Sequence, residues 1–513
     1  MRRLLAVISA FGLAEPCISQ NELPSSVPAI NAEASPEANA AKAATVRPSM
    51  RQVAWQEREF SLFLHFGMNT FTDREWGRKD ESPALFNPKQ FDARQWVRVA
   101  REAGARQLVV VAKHHDGFCL WPSGWTDYTV GWSPWRNGKG DVIADVAAAC
   151  QDSGLKLGIY LSPWDISSPL YGTEAYNTHF KNQLRELLTN YGEIAEIWFD
   201  GACGEGPNGR RQHYDWHGYY TLIRELQPDA VIAVMGPDVR WVGTESGYGR
   251  ETEWSVIPLP PVLPVEFAEP ARREKDAGGF LPPENMMQDD LGSRVKLRGA
   301  ERLVWYPSEV DVSIRPGWFY HAAQDTQVKT SQQLVDIFYG SVGRNSHLLL
   351  NVPPDRRGLI HENDIRALRG MREILEKTYS RNLAVKARVD CSPGEGRPDA
   401  MVDDDPRTFW AAGAAVTDPT MEFDLGREES FDRLLLQENF RNGQRVEEFV
   451  LEANRSGAWV KVVRGTTIGY KRLLRFAPVT TQHVRFRILR SRGQPEIASF
   501  GLYHASPGEP CGF

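Results

Sequence analysis

The sequence predicts an α/β fold in which a (β/α)8-like barrel is followed by an all-β sandwich. The chain has 513 residues, which is too long for one ordinary domain. Its first part alternates fully apolar runs with amphipathic stretches, as expected for buried parallel strands with helices outside. In its last part helical periodicity disappears, and short alternating strands are separated by turn signals. We therefore place the barrel at 51–385 and the sandwich at 386–513.

Seven apolar runs predict the barrel strands, at 61–66, 107–112, 156–161, 194–199, 230–234, 303–306 and 348–352. Helix-like stretches lie at 91–103, 142–153, 181–191 and 363–379. A strand about every 40–50 residues over much of the chain favours a barrel over a doubly wound sheet. The Pro-rich, charged stretch 258–298 predicts a long insertion beside the barrel mouth.

The N-terminus is typical of a secretory signal. Arg2 and Arg3 precede a short apolar run at 4–14, so residues 1–20 predict a signal peptide and an exported protein, periplasmic or extracellular. A buried N-terminal helix is the alternative. Residues 21–50 are rich in Ala, Ser and Pro, which predicts a disordered linker.

Composition excludes several classes of protein. Acidic residues outnumber basic ones 66 to 60, for a net charge of -6, which argues against nucleic-acid binding. No apolar run reaches the ~20 residues of a membrane span. The six cysteines are scattered without a zinc-type pattern; one or two disulfides are possible, and their pairing stays open.

Polar and aromatic residues end four successive predicted strands. They are His65, the pair His114 and His115, Tyr160, and Trp198 with Asp200. Strand ends of a barrel share the face where active sites are built. Each residue alone could be structural, and adjacent histidines on a strand point to opposite sides, but their joint occurrence predicts one pocket.

The residue types in this pocket favour a sugar site. There is no nucleophile elbow, and neither HxH nor HExxH occurs, so a catalytic metal is not expected. The chain has 16 Trp residues, and an indole can stack on a sugar ring or simply fill a core. A glycosidase also needs two carboxyl groups, one as nucleophile or base and one as acid.

The motifs HFGMNTF, REWG, KHHDGFCLWPS, GIYLSPWD, EIWFDGA and LLLNVPPDRRGLI resemble those of the α-L-fucosidases of glycoside hydrolase family 29, over about residues 50–385. The resemblance implies Asp200 as the nucleophile of a retaining reaction, fucosylated glycans as substrates, and no metal or organic cofactor in catalysis. The positions that it implies hold fucose are His65, Glu75, Trp76, His114, His115, Tyr160 and Trp198.

The sequence leaves the choice of the general acid/base open among four glutamates. The segment RWVGTESGYGRETEW resembles the branch that cleaves α-1,3/1,4-linked fucose, which implies Glu245. Glu309, Glu251 and Glu253 are alternatives, although the last two could form salt bridges, for instance to Arg250. Trp318 could form a wall of the pocket or pack in the core.

The C-terminal part resembles discoidin-type, family 32 carbohydrate-binding modules. The resemblance rests on the motifs DDDPRTFW at 403–410, MEFDLG at 421–426 and GTTIGYKR at 465–472. The first turn holds a structural Ca²⁺ in many relatives; here Asp404 replaces the usual Gly, so the resemblance leaves calcium binding open. The domain could bind sugar or serve only as a scaffold.

The leading hypothesis is an exported exo-α-L-fucosidase with a preference for α-1,3/1,4 linkages. One alternative is a broad α-L-fucosidase that acts on aryl and α-1,2 fucosides. A second, from another class, is a non-catalytic carbohydrate-binding protein. The sequence makes no prediction of oligomeric state.

Overall fold

The computed structural model describes residues 35–78, 80–259, 289–298, 302–392 and 394–505. In its first part the helices are α1 (Pro36–Ala43), α2 (Met50–Gln56), α3 (Met68–Thr72), α4 (Ala93–Ala103), α5 (Val142–Ser153), α6 (Glu174–Asn190), α7 (Trp216–Leu226), α8 (Ser331–Gly340) and α9 (Glu362–Thr378). The strands are β1 (Phe60–Leu64), β2 (Gln107–Lys113), β3 (Lys156–Leu161), β4 (Glu196–Phe199), β5 (Val231–Val234), β6 (Arg240–Trp241), β7 (Val256–Leu259), β8 (Arg302–Trp305), β9 (Ser308–Ser313) and β10 (His347–Asn351).

Eight of these strands form a nearly closed parallel barrel. Their order is β5-β4-β3-β2-β1-β10-β9-β6, which is the order of the chain around a circle. The Val234 N–H donates to the Val239 carbonyl at 3.0 Å and brings the two end strands together. The predicted barrel is confirmed.

One predicted barrel strand is wrong. Residues 303–305 of that run fall on β8, which pairs antiparallel with β7 in a separate hairpin. The strand in the barrel is β9, whose sequence SEVDVS alternates polar and apolar residues although every one is buried. It escaped prediction because its carboxyl groups are paired with indole N–H groups from neighbouring strands, at Trp198 and Trp241.

The predicted linker is also wrong in its described part. Ser35 caps α1, whose residues Asn39, Ala40 and Ala43 are buried. With Val46, this helix completes a small apolar cluster that contains Trp305 of β8 and Phe440 of the C-terminal domain. A few small side chains are enough to order this helix, because the apolar surface that they cover is formed by other parts of the chain. Residues 1–34, including the predicted signal, lie outside the described residues.

The C-terminal domain is antiparallel, as predicted. Its strands are β11 (Arg388–Ser392), β12 (Gly394–Glu395), β13 (Trp410–Ala412), β14 (Thr420–Glu438), β15 (Val446–Arg455), β16 (Ala458–Gly465), β17 (Arg472–Ser491) and β18 (Glu496–Tyr503). They follow the order β12-β13-β18-β14-β17-β15-β16, with β11 beside β14. Their inward side chains, among them Trp410, Phe423 and Phe486, form a second core.

The predicted insertion is described only at its ends. Residues 289–298 contact the C-terminal domain, where Arg294 Nε lies 2.9 Å from Glu447 Oε1. The location of the insertion beside the barrel mouth stays a prediction. Residues 260–288 lie outside the described residues.

The four described cysteines, Cys119, Cys150, Cys203 and Cys391, are free thiols. Cys17 and Cys511 lie outside the described residues. Among the helices that the structure describes, none has the length and apolar character to cross a membrane.

Candidate active site

A cavity of about 460 Å³ opens at the carboxyl ends of the barrel strands. It brings together every residue that the sequence predicted as the nucleophile, the preferred acid/base and the sugar contacts. They are His65, Glu75, Trp76, His114, His115, Tyr160, Trp198, Asp200, Glu245 and Trp318.

His65 is held in one tautomer by its neighbour. Its Nδ1 lies 2.9 Å from the side-chain oxygen of Asn351, which can only accept, so Nδ1 donates. The Asn351 amide in turn donates to Ser313 Oγ and to the Trp318 carbonyl. Burial lowers the pKa of His65 to about 4, so the ring is neutral and its Nε2 is an acceptor.

His114 and His115 both line the cavity, with ring centroids 4.1 Å apart. The expectation that they diverge is wrong because β2 ends at Lys113 and the alternation of a strand ends with it. His115 Nδ1 lies 2.7 Å from Ser162 Oγ, whose own hydroxyl donates to the Trp164 carbonyl. Burial lowers the pKa of both histidines, so this wall of the cavity is polar and uncharged.

Asp200 follows β4 and is held at both carboxylate oxygens. Oδ2 accepts from the Tyr160 hydroxyl at 2.9 Å, and Oδ1 accepts from the Ala202 N–H at 2.7 Å. His115 Nε2 lies 3.6 Å from Oδ2, and the Asp200 side chain is 23% exposed. A carboxylate that is fixed and still open to the cavity can attack a bound electrophile.

Glu245 lies on the loop that follows β6. Its Oε2 accepts from the indole N–H of Trp318 at 3.2 Å. Partial burial of the carboxyl group raises its pKa, and the charges of Asp200 and Glu75 raise it further. Two carboxyls in different surroundings therefore line one cavity, the arrangement that divides acid and base roles.

Glu75, Trp76 and Trp318 line the cavity from two further loops. Glu75 Oε2 accepts from the Trp318 backbone N–H at 2.8 Å, and its Oε1 lies 2.6 Å from His321 Nε2. Trp76 is 52% exposed and its ring lies 5.2 Å from that of His115. Trp318 lines the cavity and also packs against the barrel core, so it has both of the roles that the sequence left open.

The alternative acids lie elsewhere. Glu309 is fully buried beneath Trp198, whose indole N–H donates to it at 2.7 Å. Glu253 is buried against Arg240 and Arg250. Glu251 pairs with Arg344 at 3.0 Å and with Arg472. None of the three lines the cavity.

Sequence reasoning missed Asp311 and Trp241, which also line the cavity. The Trp241 indole N–H donates to Asp311 Oδ1 at 2.7 Å, and burial raises the pKa of Asp311 to about 8. The residues belong to β9 and β6, the two barrel strands that lack a continuous apolar run. The alternation of polar and apolar residues in SEVDVS was the signal from which β9 and Asp311 could have been predicted.

Within the described residues, no group of three or more His, Cys, Asp or Glu side chains is arranged to hold a metal ion. In the turn considered for calcium, Asp404 has a left-handed φ of 60°, which Asp tolerates in place of Gly. Asp405 accepts two hydrogen bonds from the Arg407 guanidinium, each 2.8 Å. An ion would have to compete with that pair for the carboxylate, so calcium remains a prediction.

Comparisons with known proteins agree with this geometry. A family described as Alpha-L-fucosidase matches residues 27–241 and 283–379, and one described as F5/8 type C domain matches 384–501. Alpha-L-fucosidase 1 of Arabidopsis thaliana is 42% identical over 467 residues, which cover 89% of this chain and 87% of that protein.

Solved structures are similar as well. A protein of Bacteroides ovatus superimposes with a TM-score of 0.83 at 46% identity, covering 94% of this chain and 78% of its own. A Ruminococcus gnavus glycoside hydrolase family 29 fucosidase in complex with fucose gives 0.78 at 30% identity, covering 94% and 97%. The chain therefore belongs to the α-L-fucosidases of glycoside hydrolase family 29 and carries a discoidin-like F5/8 type C domain behind its catalytic barrel.

Proposed function

We propose that this α-L-fucosidase is a retaining exo-enzyme that releases terminal α-L-fucose, with a preference for α-1,3/1,4 linkages. The observation that supports it best is the pair Asp200 and Glu245 in one cavity, the first fixed and open, the second with a raised pKa. Retention needs these two roles, a nucleophile and an acid that later acts as a base.

In the first step the Asp200 carboxylate attacks the anomeric carbon of fucose. The Tyr160 hydroxyl and the Ala202 N–H orient the carboxylate. Because the pKa values of His65, His114 and His115 are lowered, no imidazolium opposes the positive charge that develops on the sugar ring. The glycosidic bond breaks as the bond to Asp200 forms.

Glu245 donates its proton to the leaving oxygen. The negative charge of Asp200 helps to keep Glu245 protonated in the free enzyme. Once Asp200 is esterified by fucose that charge is gone, so the pKa of Glu245 falls. Glu245 can then take a proton from the water that hydrolyses the intermediate.

The cavity walls offer both kinds of contact that a sugar needs. His65, His114, His115 and Glu75 supply polar groups for hydroxyls, whereas Trp76, Trp198 and Trp318 offer apolar ring surface.

The stereochemical outcome is tested by proton NMR during hydrolysis of an aryl α-L-fucoside. We expect the α-anomer of fucose to appear first and the β-anomer only as it mutarotates. Early appearance of the β-anomer would rule out retention.

Linkage preference is tested with an aryl α-L-fucoside, a Lewis-type trisaccharide and an α-1,2-fucosylated lactose. We expect the highest kcat/KM for the Lewis-type sugar. Comparable rates on the α-1,2 sugar and the aryl fucoside would favour the broad enzyme. Binding of all three without release of fucose would favour the non-catalytic alternative.

The proposed chemistry uses side chains alone, so dialysis against EDTA should leave kcat/KM unchanged; a loss that an added metal restores would contradict it. A calcium-dependent rise in Tm without a change in activity would support a structural ion in the C-terminal turn.

Export is likewise proposed, on the basis of Arg2, Arg3 and the apolar run after them. Recovery of secreted protein that still begins at Met1 would contradict cleavage of a signal peptide.

A further inference from the structure

We propose that the C-terminal domain positions Glu245 by holding the chain that follows it against the barrel. We call residues 249–255 the seam segment and residues 465–472, which join β16 to β17, the clasp. The inference rests on the proposed function, since it takes Glu245 as the acid/base. On this proposal the discoidin-like domain contributes to catalysis without itself binding a sugar.

Sheet pairing anchors the Glu245 loop to the barrel only where it begins, and at its far end the Gly249 N–H donates to the Gly340 carbonyl, at the end of α8, at 2.8 Å. The Val242 N–H donates to the Glu309 carbonyl at 2.9 Å, which continues the pairing of β6 with β9. Glu245 itself is exposed, and its one described side-chain hydrogen bond comes from Trp318. The next strand, β7, belongs to the outer hairpin, so the barrel sheet does not fix the far end of the loop.

The clasp holds the seam segment just beyond Gly249. Thr467 Oγ1 accepts from the Glu253 N–H at 3.0 Å, and Arg472 Nη1 donates to the Glu251 carbonyl at 2.7 Å. Gln444, elsewhere in the same domain, accepts from the Ser255 N–H at 2.8 Å and donates to the Glu253 carbonyl at 2.9 Å. Successive backbone groups of the seam segment thus find their partners in the C-terminal domain.

Asn345, between α8 and β10, joins barrel, seam segment and clasp. Its side-chain oxygen accepts from the Tyr470 N–H at 2.7 Å, and its amide donates to the Glu253 carbonyl at 3.2 Å. Its own N–H donates to the Lys471 carbonyl at 3.0 Å. Gly469 packs so closely on this amide that any side chain there would collide with it.

Charges make the attachment costly to open. Glu253 is buried with Arg240, and Glu251 bridges Arg344 of the barrel to Arg472 of the clasp. Arg344 also donates to the Gly249 carbonyl at 3.1 Å. Displacing the seam segment would leave buried charges unpaired, which is strongly unfavourable. Glu251 and Glu253, two of the candidate acids, therefore help to hold the loop that carries Glu245 in place.

Proton donation requires accurate placement, and a shift of about 1 Å can cost ~10²-fold in rate. A loosened seam segment should therefore slow the step that needs the acid more than steps that do not. Departure of a poor leaving group needs the proton, whereas departure of an activated phenolate does not.

The test compares the double variant Thr467→Val with Gln444→Leu against the wild type. The value of kcat/KM is measured for 4-methoxyphenyl and 2-chloro-4-nitrophenyl α-L-fucosides. We expect a loss of about 10-fold or more with the methoxyphenyl substrate and under about twofold with the activated one, because only the former needs Glu245 in place. The alkaline limb of the pH profile should also move. Thr481→Val is the matched control, because that buried hydroxyl donates to the Asn454 carbonyl within the same domain.

Glu245→Ala, assayed in parallel, separates the two hypotheses. Equal losses on both substrates in Glu245→Ala would refute the acid/base assignment itself. A selective loss in Glu245→Ala together with a wild-type substrate ratio in the double variant would refute positioning by the clasp. Equal losses on both substrates in the double variant, with a lower Tm, would reduce the clasp to a structural role and also overturn the inference. If the double variant does not fold, Thr467→Val alone is judged by the same ratio.

Discussion

The two halves of the cavity are built in different ways. One half stands on strand ends: His65, His114, Tyr160 and Asp200 follow directly on, or lie within, neighbouring parallel strands. The other half stands on loops: Glu75, Trp76, Glu245 and Trp318 come from segments that are distant in sequence. His65 is 4% exposed, whereas Trp76 is 52% exposed.

The comparison shows where each half gets its rigidity. Sheet hydrogen bonds fix the strand-end half, and neighbours such as Asn351 and Ser162 orient its rings. The loop half depends on contacts between loops, such as Glu75 with His321 and Glu245 with Trp318. Changes in the first half should therefore stop the chemistry, and changes in the second should alter binding, pH response and leaving-group dependence.

The largest effect is expected from Asp200→Asn, in the strand-end half. The variant keeps the shape and loses the nucleophile, so kcat/KM for any α-L-fucoside should fall by about 10³-fold or more. Asp145→Asn, at a surface ion pair with Arg136, is the control and should match the wild type. A loss below tenfold would remove Asp200 from the nucleophile role.

A middle-sized effect is expected from His321→Gln in the loop half. His321 lies 2.9 Å from Asp73 and 2.6 Å from Glu75, and a glutamine amide cannot span both carboxylates. Glu75 should become mobile, which raises KM about 10-fold with a smaller change in kcat. His217→Gln is the control, because His217 is exposed on α7 and lies outside the cavity lining. A fall in kcat at constant KM would show that the bridge acts on chemistry and not on binding.

A pH-dependent effect is expected from Asp311→Asn, beneath the loop half. Burial raises the pKa of Asp311 to about 8, above its value of ~3.9 in an unfolded chain. Between these two values the folded protein keeps the proton and the unfolded chain releases it, so this group makes the fold less stable as pH rises.

Asparagine cannot ionise, so the Tm of Asp311→Asn relative to the wild type should rise between pH 5 and pH 9, by roughly 3 °C or more. Thermal unfolding at several pH values measures it. A Tm difference that stays constant with pH would contradict the raised pKa.

The smallest effect is expected from Glu309→Gln. Burial and the neighbouring Glu196 raise the pKa of Glu309 well above its usual range, so the group is neutral. The glutamine oxygen can still accept from Trp198, and its amide can replace the carboxylic proton. We expect kcat/KM within about twofold of the wild type. A hundredfold loss that azide rescues would make Glu309 the acid and break the division between the halves.

The strand-end half was predictable because its signals are local. A fully apolar run marks a buried parallel strand, and the residues after it must lie at the carboxyl edge of the sheet. This logic placed His65, Tyr160 and Asp200 correctly. It failed at β9, where Glu309 and Asp311 interrupt the apolar pattern, and it took β8 for a barrel strand.

The sequence by itself determined the barrel, the antiparallel domain and the polar strand ends, because these follow from periodicity within short segments. Only the tertiary structure decided that Glu245 enters the cavity while Glu251 and Glu253 pair with arginines. It alone ordered residues 36–43 and placed Asp311 beside Trp241. The physical reason is that a carboxyl group's role depends on the charge, donor or solvent that faces it, and those partners come from segments far away in the chain.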